Sequence, residues 1–310
     1  MSDTVVRRLR PWLGTYVAIE ARGSDPDRIT LAIEAAYADI AAIHAALSFH
    51  SAASELARLN RHAHQETMPV GWHTWVVLSQ AILLAQLSDG LFDPTVAPRL
   101  VRHGALPAPI DAPTPDPTAN WRHIELTDPQ QVRFHRPLWL DLGGIAKGYA
   151  IDCAIDTLRA HGLSAATVNA GGDLRAFGPL DGAGVPLAVR APANPADAIP
   201  LGVLRNRAAA TSGDFYLGRP NAPEGLSPIL HPTDGARPAC PRSVTVIADE
   251  CITADGLTKI VSLAGTEAEP LLAHFGATAA IIEPPDQLIA ADGFWTALGH
   301  PYPPDPPHVA

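Results

Sequence analysis

Residues 138–154 read Leu-Trp-Leu-Asp-Leu-Gly-Gly-Ile-Ala-Lys-Gly-Tyr-Ala-Ile-Asp-Cys-Ala. An apolar run passes through an acid and a glycine pair into a segment of helical character, which predicts a strand at residues 138–142 and a helix beginning at Gly144. Gly143 and Gly144 let the backbone approach a ligand closely, and the helix N-terminus with Lys147 in its first turn supplies positive charge. This junction predicts a site for an anionic ligand. A plain tight turn from strand to helix is the alternative interpretation.

Composition narrows the class of function. The chain has 310 residues, 47% of them hydrophobic, and a net charge of −10 at pH 7. This size predicts one domain with two lobes, and the negative charge argues against nucleic acid and anionic membrane surfaces as partners. Cys153, Cys240 and Cys251 form no CxxC pair, and their odd number fits a reducing compartment, with buried inert thiols as the favoured reading.

Neither the N-terminus nor the longest apolar stretch of the chain predicts a membrane segment. Residues 1–11 carry three arginines but no apolar core of a signal peptide, so a cytoplasmic location is expected. The apolar stretch Trp72–Leu87 contains several polar residues and is shorter than the about 20 residues that span a bilayer, so it is predicted to be a buried core helix.

Strand-like and helix-like patterns alternate irregularly along the chain, which indicates an α/β (α+β) fold. Strands are predicted at residues 15–21, 121–126, 131–136, 138–142, 166–170, 185–190, 201–204, 243–248 and 278–282. Helices are predicted at residues 27–47, 54–60, 72–87, 144–161, 253–263 and 267–274. The proline-rich residues 105–120 are predicted to form an internal loop of a single domain 1–310, and residues 300–310 a frayed tail.

Five further segments combine glycine with acidic or hydroxyl residues at predicted turns and helix starts. They read Trp-Leu-Gly-Thr at 12–15, Ser-Asp-Gly-Leu-Phe-Asp-Pro-Thr-Val at 88–96, Asn-Ala-Gly-Gly-Asp-Leu-Arg at 169–175, Ala-Thr-Ser-Gly-Asp at 210–214 and Thr-Ala-Asp-Gly-Leu-Thr-Lys at 253–259. Each segment alone is an ordinary turn or helix cap.

In this order and spacing, the segments closely resemble the FAD:protein FMN transferase family, the ApbE-like flavin transferases. The resemblance runs from about Trp12 to Gly265, and its most specific blocks are Asp-Leu-Gly-Gly-Ile-Ala-Lys-Gly-Tyr-Ala and Gly-Leu-Phe-Asp-Pro-Thr-Val. It implies an ApbE-like fold of two subdomains with FAD in the cleft between them. It also implies magnesium-assisted cleavage of the FAD pyrophosphate, with FMN passed to a Thr or Ser hydroxyl of an acceptor protein and AMP released.

The resemblance also implies site residues. Contacts to FAD correspond here to Leu13, His50, Leu91, Phe92, Asp93, Asp141, Lys147 and Leu230. Metal ligands correspond to the backbone carbonyl of Gly144 and to Asp255 and Thr258. Asp255 and Lys259 are the predicted catalytic residues.

The sequence departs from the family pattern at Lys259, where many members place a threonine. An ammonium group cannot ligate magnesium, which puts the metal in doubt. Asp255 and Lys259 lie one helical turn apart, so the ammonium is placed to pair with the carboxylate and occupy roughly the position of the missing cation. An ordinary surface ion pair is the alternative interpretation.

A second departure lies in residues 227–235, where the family typically shows His-x-x-Asp-Pro-x-x-Gly. Pro228 stands in the position of that histidine and His231 in the position of the aspartate. A proline side chain transfers no proton, so an acid–base role of the histidine is lost here or moved to His231.

The leading hypothesis is an FMN transferase that uses FAD and an acceptor protein. Two alternatives use the same site: a protein that holds FAD without transferring FMN, and an FAD pyrophosphatase that gives FMN and AMP. The three are separated by whether AMP appears and whether FMN becomes attached to protein.

Overall fold

The computed structural model describes residues 4–179, 184–192, 194, 197–213, 229–236, 238, 242–283 and 287–299. The predicted tail 300–310, Pro228 and Cys240 lie outside these residues. The chain divides into a first unit (Met1–Ile40, Lys147–Phe215 and Cys240–Ala310) and a second unit (Ala41–Ala146 and Tyr216–Ala239).

Helices and strands are mixed along the chain, which confirms the predicted fold class. The strands are β1 (Thr4–Trp12), β2 (Thr15–Gly23), β3 (Met68–Pro69), β4 (Ile124–Thr127), β5 (Gln131–Phe134), β6 (Ala165–Ala170), β7 (Asp173–Phe177), β8 (Val185–Arg190), β9 (Ala198–Leu204), β10 (Ala208–Gly213), β11 (Ser243–Ala248), β12 (Thr278–Glu283) and β13 (Gln287–Ala290). The α-helices are α1 (Pro26–Leu47), α2 (Glu55–His62), α3 (Trp72–Leu87), α4 (Ala97–Arg102), α5 (Ala146–Ala160), α6 (Cys251–Ala264), α7 (Glu269–His274) and α8 (Phe294–Ala297). Short 3₁₀ turns lie at Trp121–His123 and Gly265–Ala268.

The first unit is built on one eight-stranded sheet in the order β1-β2-β6-β7-β10-β11-β12-β13. All neighbouring strands are antiparallel, and α6 packs on β10 and β11. The hairpin of β8 and β9 joins α8 in a core with residues of β7, β10, β11 and β12. Alternating apolar residues on these strands make one continuous hydrophobic core, because successive side chains of a strand point to opposite faces of its sheet.

The second unit contains α2, α3, α4, the C-terminal part of α1 and a three-stranded sheet in the order β3-β5-β4. The predicted serine cap of α2 is present, since the Ala57 N–H donates to Ser54 Oγ at 3.0 Å. Residues 105–120 contain neither helix nor strand. Trp139 Nε1 donates to the carbonyl of Pro113 at 2.8 Å and ties this loop to the chain before the glycine pair.

The strand predicted at residues 138–142 is wrong, although Leu138, Leu140 and Leu142 are all buried. The N–H of Leu140 donates to Asn60 Oδ1 at 2.7 Å, and Asn60 Nδ2 donates to the Leu140 carbonyl at 3.1 Å. The side-chain amide of Asn60 therefore takes the place of a neighbouring strand, and no ladder forms.

Strands β1, β7 and β10 are not predicted from sequence, nor are β13 and α8. β1 is an edge strand with three arginines, so its polar character hides its pairing with β2. β7 begins, and β10 ends, within a segment that reads as a turn; Gly171 and Gly172 turn at φ values of 65° and 109°, and pairing resumes at Asp173. At Trp121–His123 a 3₁₀ turn replaces the predicted strand start, because the Asn120 side chain accepts the Arg122 N–H.

Helix α1 is long and apolar enough to cross a membrane by length and composition, which makes it the one such helix within the described ranges. Its residues Ile29, Ile33, Tyr37 and Ile40 are at most 2% exposed. Length and composition alone are weak evidence for a spanning segment, so the expected absence of an integral membrane segment stays a prediction.

Candidate active site

Helices α5 and α6 of the first unit cross closely at Gly148. A Cβ atom placed on Gly148 would lie 2.3 Å from the carbonyl oxygen of Cys251 and 2.8 Å from the nitrogen of Ile252. Real side chains do not tolerate such distances, so this crossing requires glycine. It brings together the first turns of the two helices, which carry Lys147 and, one turn further along α6, Asp255.

Asp255 is fully buried and faces one backbone N–H and two ammonium groups. Its Oδ2 accepts the N–H of Gly148 at 3.0 Å and lies 3.6 Å from Lys147 Nζ, and its Oδ1 contacts Lys259 Nζ. Burial raises the pKa of Asp255, but the charges of Lys147 and Lys259 outweigh burial and hold that pKa below its usual range. The carboxylate therefore stays ionised and is a weak base.

Lys147 links Asp255 to a second buried acid. Its Nζ pairs with Oδ2 of Asp173, the first residue of β7, while the N–H of Thr211 donates to Asp173 Oδ1 at 3.0 Å. Burial lowers the pKa of Lys147, and the charge of Asp255 opposes that shift. The side chain of Lys147 keeps 27% of its surface exposed.

Thr258 is fully buried beneath the two charged residues of α6. Its hydroxyl donates to the Asp255 carbonyl at 2.7 Å and lies 2.7 Å from Ser212 Oγ on β10. The Lys259 ammonium reaches the same carbonyl at 3.0 Å. These bonds fix the last turn before Lys259 against the sheet.

The described residues of this cluster do not fit a magnesium ion. Magnesium requires oxygen ligands in near-octahedral geometry, but the oxygens of Asp255 already face two ammonium groups and a backbone N–H. Within the described part of the chain, no group of three His, Cys, Asp or Glu residues is arranged to hold a metal ion. A cation at Asp255 would have to displace Lys259.

The second unit folds the predicted residues at 88–96 into a turn with internal side-chain bonds. The N–H of Phe92 donates to Ser88 Oγ at 3.0 Å, and both the N–H and the hydroxyl of Thr95 donate to Asp93 Oδ1, at 2.8 and 2.7 Å. The pKa of Asp93 is raised above its ordinary value, because the effect of burial exceeds that of the two hydrogen bonds from Thr95, which lower the pKa. Leu91 and Phe92 are thereby held at a defined place in the turn.

Two of the predicted groups meet in the second unit. The N–H of Asp141 donates to the carbonyl of Pro94 at 2.8 Å, and the N–H of Gly143 donates to Asp141 Oδ1 at 3.0 Å. The turn that contains Asp93 and the segment that contains the glycine pair are thus bonded to each other.

Trp121 supports the same turn and is not predicted from sequence. A Cβ atom on Gly90 would lie 3.0 Å from Trp121 Nε1, and the Trp121 side chain is buried. The Arg122 guanidinium lies 4.3 Å from the centroid of that indole and pairs with Asp89 at 2.8 Å. The only sequence signal is an aromatic residue where the chain reads as a strand.

Leu230 and His231 lie in a compact turn of the second unit. Leu230 is buried, the N–H of His231 donates to the Ala236 carbonyl at 2.7 Å, and His231 Nδ1 lies 3.3 Å from Asp234 Oδ1. Arg99 donates to the carbonyl of Thr233 at 2.7 Å and anchors this turn to α4.

The two remaining predicted residues are Leu13 in the first unit and His50 in the second. Leu13 occupies the turn between β1 and β2 at φ 56°, a conformation that costs energy for a residue other than glycine. His50 is exposed and makes an edge contact with Phe49, with ring centroids 6.3 Å apart.

The predicted site residues divide between the units. The first unit contains Leu13, Lys147, Asp255, Thr258 and Lys259, and the second contains His50, Leu91, Phe92, Asp93, Asp141, Gly144 and Leu230. The structure adds Asp152, Asp173, Arg175, Ser212 and Trp121, which sequence patterns do not assign a role.

Comparison with known proteins identifies the family of the chain. The model of the ApbE family matches residues 13–282. The FAD:protein FMN transferase of Vibrio cholerae serotype O1 is 34% identical over 230 residues, covering 69% of this chain and 67% of its own, and that of Haemophilus influenzae is 28% identical over 263 residues, covering 76% and 74%. The solved ApbE flavin transferase of V. cholerae has a TM-score of 0.80 at 25% identity, and the ApbE protein of Thermotoga maritima has 0.78 at 28%; each covers 95% of this chain and 99% of its own. The chain belongs to the ApbE family.

Proposed function

We propose that this protein is an FAD:protein FMN transferase, which moves the FMN part of FAD to a Thr or Ser hydroxyl of an acceptor protein and releases AMP. The observation that carries the proposal is the buried carboxylate of Asp255 between the ammonium groups of Lys147 and Lys259. It occurs in a chain of the ApbE family whose curated relatives carry this activity in their names.

The reaction is a phosphoryl transfer, in which the acceptor oxygen forms a bond to the phosphorus of FMN. The bond from that phosphorus to the bridging oxygen breaks, AMP leaves with the electron pair, and the hydroxyl proton passes to a base. Catalysis of this kind depends mainly on positioning and on positive charge beside the phosphates. Lys147 and Lys259, with 27% and 22% of their side chains exposed, supply that charge.

Asp255 acts here by holding the two lysines. Its lowered pKa makes it a poor acceptor for the hydroxyl proton, whereas its two oxygens fix both ammonium groups. The proposal therefore gives Asp255 an orienting role and leaves contact with the phosphates to the lysines.

A second part of the proposal concerns the role of magnesium. Because Lys259 contacts Asp255 where the family pattern expects an oxygen ligand, we assign its ammonium the electrostatic role of the cation. FAD is then expected to bind in the presence of a chelator. Lys259 as a passive ion pair is the competing account, and it predicts no effect of its removal on FAD.

One incubation tests the function and separates the alternatives. Purified protein is mixed with FAD and candidate acceptor proteins, with magnesium in one arm and EDTA in the other; AMP is measured by chromatography and bound flavin by in-gel fluorescence. AMP together with a covalently fluorescent acceptor supports transfer. AMP with free FMN identifies a pyrophosphatase, and FAD binding without AMP identifies a binding protein; either result refutes the transferase.

A further inference from the structure

Helix α6 carries Asp255, Thr258 and Lys259, but it lacks a cap of its own. Its N-cap residue, Glu250, makes no side-chain hydrogen bond to the helix. The first N–H groups of an α-helix have no partner within the helix, and here they are buried. A partner must come from elsewhere in the fold.

Asp152 on α5 supplies that partner. Its Oδ1 accepts the N–H of Cys251 and its Oδ2 accepts the N–H of Ile252, each at 2.8 Å. Arg175 on β7 donates to Asp152 Oδ1 at 2.8 Å, and the two side chains are only 9% and 11% exposed. The carboxylate is therefore ionised in a dry environment because the arginine and two N–H groups hold it there.

The arrangement between the two helices is reciprocal. Asp152 of α5 caps the first turn of α6, while Asp255 of α6 accepts the N–H of Gly148 in the first turn of α5 at 3.0 Å. The two helices also approach closely at Gly148, where a Cβ atom would lie 2.3 Å from the Cys251 carbonyl oxygen. Any rotation or shift of α6 that breaks the bonds to Asp152 also moves Asp255 and Lys259.

We infer that Asp152, held by Arg175, is a positioning residue for the reaction: it sets the place of Asp255 and Lys259 by capping α6 from the neighbouring helix. The expected effect of Asp152 on the rate of the reaction rests on the proposed function. Its effect on the position of α6 rests on the hydrogen bonds alone. A misplacement of about 1 Å in a catalytic group costs on the order of 100-fold in rate, so even a modest relaxation of α6 is measurable.

The test uses Asp152→Asn, which keeps the shape of the side chain but loses its charge and presents an amide NH₂ to one of the two N–H groups. The matched control is Asp39→Asn. Asp39 accepts a hydrogen bond from Thr157 near the other end of α5, so its replacement removes a carboxylate bond to the same helix without touching α6.

In Asp152→Asn the kcat of AMP release is expected to fall about 10- to 100-fold. The KM for FAD is expected to change less than about threefold, because Lys147 on α5 stays paired with Asp173 on β7. Hydrogen exchange of the Cys251 and Ile252 amides is expected to quicken at least about tenfold. Asp39→Asn is expected to leave both quantities near wild type.

A folded Asp152→Asn protein with wild-type kcat overturns the inference, and so does an equal loss in both variants, which would reflect general destabilisation. Should Asp152→Asn fail to fold, Arg175→Gln takes its place and is judged by the kcat of AMP release and by the hydrogen exchange of the same two amides. Arg175→Lys is expected to retain most of the wild-type rate of AMP release. If wild-type protein releases no AMP, the proposed function fails, while the exchange of the two amides still decides whether Asp152 holds α6.

Discussion

Replacing Gly148 by alanine tests the crossing on which the site depends. The added methyl carbon would lie 2.3 Å from the carbonyl oxygen of Cys251, whereas ordinary contacts begin near 3.4 Å, so α5 and α6 must separate locally by about 1 Å. The bond from the Gly148 N–H to Asp255 lengthens with that movement. Overpacking of this kind costs about 1–3 kcal/mol, against which alanine gains up to about 1 kcal/mol in helix propensity.

We therefore expect Gly148→Ala to lower Tm by a few degrees and to reduce AMP release about 100-fold, far more than its loss of stability explains. Differential scanning fluorimetry and chromatographic assay of AMP measure the two effects. The control is Gly276→Ala, which has a φ of 58° but no atom within 4 Å of the new methyl, so it should cost about 1 kcal/mol of strain and leave AMP release unchanged. A Gly148→Ala protein with the Tm and the rate of wild type would refute the reasoning.

Four further perturbations bear on the same account. Lys147→Ala removes a charge-assisted contact and should raise the Kd for FAD roughly 10- to 150-fold in calorimetry; unchanged affinity would place Lys147 away from the phosphates. Lys259→Thr should make AMP release faster and newly dependent on magnesium, and a variant indifferent to magnesium contradicts the assigned role. Asn60→Ala leaves the buried N–H and carbonyl of Leu140 without partners and should lower the free energy of unfolding by about 2–5 kcal/mol. Asn60→Asp keeps the acceptor for that N–H and should have a free energy of unfolding between those of Asn60→Ala and the wild type. Urea unfolding measures both variants. Burial raises the pKa of Asp152 to about 6, so AMP release should fall as pH drops through about 6, and this acid limb should be absent in Asp152→Asn.

The titration of Asp152 is expected to change the free energy of unfolding and the rate of AMP release in opposite directions as the pH is varied. The folded protein holds the proton of Asp152 to higher pH than the unfolded chain, whose carboxyl has the ordinary value of 3.8. The contribution of this group to the free energy of unfolding therefore declines between about pH 4 and 6, while the capping of α6 improves over the same range. Chemical unfolding across that range checks the decline. The titratable and charged groups that face Asp152 are Arg175, Glu250 and Cys251, with Tyr149 and Cys153 on its own helix.

Most helices follow from the sequence because their apolar residues recur with a strong helical periodicity. α1 and α3 start and end within one residue of prediction, and α2 carries the serine cap expected of it. Residues 138–142 show the limit of such reasoning, since their apolar pattern is that of a strand but Asn60, far away in sequence, satisfies the backbone of Leu140. No local pattern reveals which partner a buried backbone finds.

The candidate active site can be predicted from the sequence to about the same extent as the fold. Motifs locate Lys147, Asp255 and Lys259, and the pairing of Asp255 with Lys259, one helical turn apart on α6, follows from helix geometry. Asp173 and Asp152 belong to segments that the sequence marks as a turn and a helix, but their roles depend on β7 and α6 meeting α5, which only the fold establishes.

Lys259 changes the net charge of the site that we propose for FAD. The ammonium groups of Lys147 and Lys259 balance the carboxylates of Asp173 and Asp255, so the cluster is neutral before FAD arrives. With threonine at position 259 one carboxylate would be unbalanced, and a divalent cation binding there would leave the cluster with a net positive charge for the pyrophosphate. The lysine avoids the need to acquire a cation but offers the phosphates one positive charge less. Wild-type transfer is therefore expected to be slow and insensitive to EDTA, and transfer that stops when EDTA is added would show that a metal reaches Asp255 despite Lys259.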